Sequence, residues 1–118
     1  MSVVLIVDDN TPLAEDLAEI LADAGHRTET ACSGEDAIRR VLRGGIDILV
    51  LDLRMPGMGG IEALRRLRQT GVSVPAIAMT AFADEATKVH GIEAGIRAVL
   101  DKPVDYARLE TLINQIAA

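Results

Sequence analysis

At 118 residues the chain has the length of one domain, and its net charge of −6 argues against binding a nucleic-acid backbone or an anionic membrane, both of which call for basic patches. Hydrophobic residues make up 49% of the chain with one Tyr, one Phe and no Trp, so the core has to be aliphatic. No apolar run approaches the roughly 18 residues of a membrane span and "MSVVLIVDDN" lacks the basic start of a secretion signal, so a cytoplasmic protein is expected.

The first predicted strand is "VVLIV" at 3–7. A helix follows from about Pro12, a favoured first helical residue, with Leu13, Leu17, Ile20 and Leu21 on its inner face and Gly25 as its stop. "RTETAC" at 27–32 alternates and reads as an edge strand. Its Cys32 has no partner for an internal disulfide and is expected to be a small buried residue in a reducing compartment. "SGED" at 33–36 reads as a capping box, with Ser33 as N-cap and Asp36 three residues on. Ile38, Val41 and Leu42 form the buried stripe of that helix, and Gly44 closes it.

The third strand is "IDILVL" at 46–51. Ile61, Leu64 and Leu67 mark the third helix, ended by Gly71. "PAIAM" at 75–79 is the fourth strand. The fourth helix is predicted over 84–94, with Ala86, Val89 and Ile92 inward. "RAVL" at 97–100 is the fifth strand. Asp105 caps a last helix whose stripe is Tyr106, Leu109, Leu112, Ile113 and Ile116. Runs one, three and four are almost continuously apolar, as central strands buried on both faces are. Five βα units in series give an α/β fold, a doubly wound parallel sheet in one domain over 1–118, and the flavodoxin-like order 2-1-3-4-5 is the one expected for it. The sequence shows no linker and no repeat.

In such sheets ligands bind beyond the carboxyl ends of the strands. Asp8 and Asp9 follow strand one, Asp52 strand three and Thr80 strand four. Asp101, Lys102 and Pro103 follow strand five. Three carboxylates then converge and repel unless a cation neutralises them, and Mg²⁺ accepts such an all-oxygen set. Lys102 and the Thr80 hydroxyl suit phosphoryl oxygens, and a carboxylate can be the nucleophile. Taken singly, Asp8, Asp9 and Asp52 could be turn residues and Lys102 a solvated lysine. It is their joint placement that points to a site. Glu15, Asp16, Arg39, Arg40, Arg65, Arg66 and Arg68 read as solvated helix faces. His26 and His90 have no metal-ligand spacing, and "GMGG" at 57–60 is no dinucleotide fingerprint.

The pieces "VDD" at 7–9, "LDLRMPGMGG" at 51–60, "MTA" at 79–81 and "DKP" at 101–103 resemble, in order, the receiver domain of bacterial two-component response regulators. The resemblance implies that Asp52 accepts a phosphoryl group from a histidine kinase or phosphotransfer protein. It implies that Asp9, Asp52 and the backbone carbonyl of Arg54 bind Mg²⁺, with Asp8 assisting. It implies that Thr80 and Lys102 contact the phosphoryl group and that Lys102–Pro103 is cis, which fits the low cost of that isomer before proline. Such a protein catalyses only its own phosphorylation and dephosphorylation. It signals to a protein effector, through a face of helix four, strand five and helix five, with no direct nucleic-acid contact.

Two alternatives are a Mg²⁺-dependent phosphatase of the haloacid dehalogenase type and a phosphorylation-independent scaffold. The phosphatase would need an acid two residues after its nucleophile, where Arg54 stands, and the scaffold would not need the site residues. A flavodoxin-like cofactor carrier would put a phosphate-cradling loop where Asp8 and Asp9 are. With no output domain expected after Ala118, the chain reads as a stand-alone regulator or a receiver cut from a larger protein. One departure from the family is Val99, where an aromatic residue usually sits and swings. Val99 is too short and too stiff to do so, and Val104 replaces the aromatic that often follows the Lys-Pro pair. Gly91 weakens helix four, so the expected coupling runs through movement of that helix, in residues 81–95.

Overall fold

The computed structural model of the protein describes residues 2–81 and 84–117, apart from the side chain of Thr87. Five strands alternate with five helices. They run β1 (Val3–Val7), α1 (Thr11–Asp23), β2 (Arg27–Ala31), α2 (Gly34–Leu42), β3 (Ile48–Asp52), α3 (Gly60–Gln69), β4 (Ala76–Thr80), α4 (Glu85–Ala94), β5 (Ile96–Asp101) and α5 (Tyr106–Ile116). The strands form one parallel sheet in the order β2-β1-β3-β4-β5. This is the predicted topology, with the alternating strand β2 at an edge and β1, β3 and β4 inside.

Alternate residues of each strand face opposite layers. Val4, Ile6, Ile48, Val50, Ile77 and Met79 pack with Ala14, Leu17 and Leu21 of α1 and Leu109, Leu112 and Ile113 of α5. Leu5, Val7, Leu49, Leu51, Ala76 and Ala78 pack with α2, α3 and α4 on the other side. Each central strand is covered twice, which is why its sequence is a continuous apolar run.

The ladder runs one residue further than the apolar runs. Asp52 pairs with Met79, and Thr80 pairs with Asp101. Three polar residues are therefore held by strand geometry rather than by loops.

Several helix faces differ from expectation. Ile20, Leu42 and Tyr106 are exposed rather than inward. The small residues Ala14 and Ala37 fill the inner faces of α1 and α2 instead. In α4 the face is rotated: Val89 and Ile92 are 49% and 67% exposed, Ala86 is exposed, and Gly91 and Ala94 are buried. The cause is close packing on β5, since a Cβ on Gly91 would lie 3.0 Å from Ile96 Cδ1. Apolar periodicity cannot detect a face made of Gly and Ala.

Ser33 caps α2 as expected. Ser33 Oγ accepts from the Asp36 N–H at 3.1 Å, a contact worth about 1 kcal/mol. The Asp36 carboxylate pairs with Arg39 and accepts from the Cys32 thiol at 3.1 Å. Cys32 is exposed, contrary to the buried reading, because β2 ends at Ala31 and the thiol lies in the turn beyond it.

Two of the outer-face arginines, Arg40 and Arg68, reach beyond their own helices. Arg40 forms a forked ion pair with Glu29, at 2.5 and 2.7 Å. Arg68 donates to the Ala94 carbonyl at 3.3 Å and to Ser73 Oγ at 3.0 Å. It places a cation at the negative end of α4.

Candidate functional site

The carboxyl ends of β1, β3, β4 and β5 gather the predicted residues. Asp8 follows β1 directly. Its backbone N–H donates to the Ala31 carbonyl at 3.1 Å, and its Oδ1 accepts from the Asn10 N–H at 2.9 Å. The second bond turns the chain into α1, where Asn10 is the N-cap and Pro12 lies in the first turn. Asp8 is buried, whereas Asp9 is exposed on the rim. Asp52 ends β3 and is buried, and its Oδ1 accepts from the Arg54 N–H at 3.1 Å. Thr80, fully buried, ends β4 beside it. Lys102 is fixed from β4 by its own backbone, since its N–H donates to the Thr80 carbonyl at 2.9 Å. The peptide bond that follows, Lys102–Pro103, is cis, as the resemblance implied.

One oxygen from each of Asp8, Asp9 and Asp52 lies within 4.8 Å of the others. The Lys102 ammonium approaches Asp8 Oδ2 at 3.0 Å and Asp52 Oδ2 at 3.3 Å. Burial first, and the Asp8 charge next, push the Asp52 carboxyl above its ordinary range, although the Arg54 N–H and Lys102 pull the other way. Burial lowers the Lys102 ammonium, but Asp8 and Asp52 outweigh burial and leave it raised, so it stays charged. The site is thus an acidic cup with one cation on its wall. Such a cup binds a hard cation and an anionic group together.

A cavity of about 610 Å³ lies beside the cup, between α1, β2 and α2. It touches the cup only at Asp8, and its three carboxylates, Asp8, Glu29 and Asp36, face three arginines, Arg39, Arg40 and Arg43. A closely balanced wall gives it no marked preference for a charged ligand.

Residues 4–114 match the family model described as the response regulator receiver domain. The chain belongs to that family. A response regulator receiver protein of Anaeromyxobacter sp. (strain Fw109-5) is 42% identical over 89% of this chain and 44% of its own length. The response regulator MprA of Mycobacterium leprae is 37% identical over 98% of this chain and 49% of its own. The chain spans about half the length of the first curated relatives it matches.

Among solved structures, the chemotaxis protein CheY4 of Vibrio cholerae superposes with a TM-score of 0.91 at 27% identity, covering 98% of both chains. A putative response regulator of Chloroflexus aurantiacus gives 0.89 at 33% identity, covering 98% of this chain and 97% of the other. The receiver fold is therefore the fold of this chain, and the phosphatase alternative is left without support. Receiver domains are signalling switches rather than ordinary enzymes. Among the described residues no helix is long and apolar enough to cross a membrane.

Proposed function

We propose that this chain is a phosphorylation switch in which Asp52 accepts a phosphoryl group from a histidine kinase or phosphotransfer protein. The observation that carries the reading is the Lys102 ammonium shared between Asp8 and Asp52, beside three converging carboxylates. Residues 1–118 act as one receiver domain. On this reading it works in the cytoplasm, the usual setting of the family.

The donor set fits Mg²⁺. It is all oxygen, its carboxylates converge, and the raised Asp52 carboxyl gains from a neighbouring positive charge. Asp8, Asp9, Asp52 and the Arg54 carbonyl would hold the ion. When bound, it neutralises the acids and the oxygens of the incoming phosphoryl group.

The rest falls to the protein. The rigid end of β3 aims an Asp52 carboxylate oxygen at phosphorus. That oxygen forms the new P–O bond as the P–N bond of the donor phosphohistidine breaks. The imidazole leaves with the bonding pair and takes a proton from solvent. Lys102 gives its positive charge to one phosphoryl oxygen, and the Thr80 hydroxyl donates to another. Beyond this the protein catalyses only its own dephosphorylation by water.

The output runs through protein contacts rather than nucleic acid, on the face made by α4, β5 and α5. There Val89, Ile92 and Tyr106 are exposed. A groove of about 250 Å³ lies between α4 and β5, lined by Lys88, Ile92, Ile96, Arg97, Ala98 and Val99.

The experiment is intact-mass spectrometry after incubation with acetyl phosphate and Mg²⁺. One phosphate should add, and Asp52→Asn should add none. Robust labelling of Asp52→Asn would refute the assignment.

A further inference from the structure

Helix α2 carries none of the proposed metal or phosphoryl contacts, yet its first residue presses on the loop that does. Gly34 is buried at the start of α2. Its φ is not positive, so backbone freedom does not explain the glycine. Space does. A Cβ on Gly34 would lie 2.9 Å from the Met58 carbonyl oxygen, with Met58 Cγ and Sδ at 3.0 and 3.1 Å. The nearest of these atoms is backbone, so the loop itself would have to move.

The far end of that loop is held equally closely. A Cβ on Gly60 would lie 2.7 Å from the Asp52 carbonyl oxygen and 2.9 Å from Leu51 Cγ. Residues 53–58 therefore run between two backbone contacts that only glycine allows, one to β3 and one to α2. On that stretch the Arg54 N–H holds Asp52 Oδ1 at 3.1 Å.

We propose that Gly34 is a positioning residue for the metal site. By letting α2 seat against the Met58 carbonyl, it fixes the path of residues 53–58. It thereby fixes where the Arg54 peptide stands relative to Asp52. The inference rests on the reading of the Arg54 carbonyl as a ligand. A merely structural glycine would change stability and leave the folded site alone. Alanine is the better helix former, so any loss at this position comes from the contact with the loop.

The test measures Mg²⁺ binding to the full chain by isothermal titration calorimetry, well below the melting temperature. It adds the amide spectrum of the metal-free protein. Gly34→Ala should weaken Mg²⁺ about tenfold, the low end of what loss of a supporting contact costs a metal site. It should also displace the Arg54 amide resonance before any metal is added. Adding Met58→Ala to that variant removes two of the three close atoms and should recover part of the affinity. A folded Gly34→Ala protein with wild-type Mg²⁺ affinity and an unmoved Arg54 resonance would overturn the proposal. If Gly34→Ala does not fold, Met58→Phe crowds the same contact from the loop side, and the same two readings decide. Wild type that binds no Mg²⁺ and takes no phosphoryl group would sink the functional reading instead. Wild type that does both while the variants match it sinks only the role of Gly34.

Discussion

The ammonium of Lys102 stands 3.3 Å from Oδ2 of Asp52, reaching from the end of β5 to the end of β3. Its second contact, 3.0 Å to the buried Asp8, makes it the counter-ion of two acids at once. Lys102→Ala should lower the stability of the metal-free protein by about 1–3 kcal/mol, because two buried carboxylates lose their partner. Mg²⁺ should then restore more stability to the variant than it adds to wild type. Urea melts with and without Mg²⁺ check both halves. Equal metal-free stability would show that the ion pair is idle.

Mg²⁺ itself should stabilise wild type by mass action, by about 1.4 kcal/mol at ten times its dissociation constant. Asp9 is the exposed member of the cluster and has the least protein around it to compensate for its removal. Asp9→Ala should therefore raise the metal-free melting temperature by relieving repulsion, and erase the Mg²⁺-dependent gain. Thermal melts at millimolar metal that show no response in wild type would mean that the cluster binds no Mg²⁺.

Away from the site, Arg40 holds the Glu29 carboxyl below its ordinary value of 4.5. A depressed acid contributes stability above its unfolded value, and the contribution fades as pH falls through the lower folded value. Both groups are partly solvated, so the effect is small. Arg40→Gln should flatten the stability profile below about pH 4.5, the unfolded reference, and lie slightly under wild type at neutral pH. Parallel acid limbs for the two proteins would show that the pair makes no linked contribution.

Helix α4 should be the segment that responds to phosphorylation. Its N-terminal half, with Glu85, Ala86, Val89 and His90 exposed, has little buried surface. Its C-terminal end is tied by Gly91 on Ile96 and by Arg68 on Ala94. Val99, half-buried in the sheet, packs against the neighbouring core. Amide exchange on phosphorylation should change most in residues 84–95. Phe82 and Ala83, within the segment expected from sequence, lie outside the described residues. Gly91→Ala should damp the change while leaving phosphorylation of Asp52 intact, since Ala favours helix by about 0.5–1 kcal/mol. Changes confined to α1 or α5 would refute this route.

The candidate site was legible because a polar residue straight after an apolar run is conspicuous, and four such places, three followed by acids and one by Thr80, occurred in family order. The parallel sheet followed from the alternation of βα units, whereas its order 2-1-3-4-5 is one of several orders that alternation allows. What escaped the sequence were contacts made by small residues. Gly91 and Ala94 form the inner face of α4, while the residues with a strong apolar signal, Val89 and Ile92, face outward. The Asp36 carboxylate, read from sequence as a cap, is also taken up by Arg39 and the Cys32 thiol, contacts set by side-chain reach rather than by spacing. Gly34 looked like part of a helix cap. Its proximity to Met58 depends on how α2 docks beside the β3–α3 loop, which no local pattern encodes.

The sheet has two ends with different duties. Every proposed contact to metal or phosphoryl lies past a carboxyl end, whereas Gly25, Gly44, Gly71 and Gly95, all at positive φ, make the return turns at the amino ends. Sequence drift can act on these two ends separately. The return turns can lengthen, shorten or change charge between lineages without touching the chemistry, so long as the chain still reverses there. One residue inserted between Leu51 and Asp52 would turn the acid to the opposite side of the sheet, where it would face neither Asp8 nor Lys102.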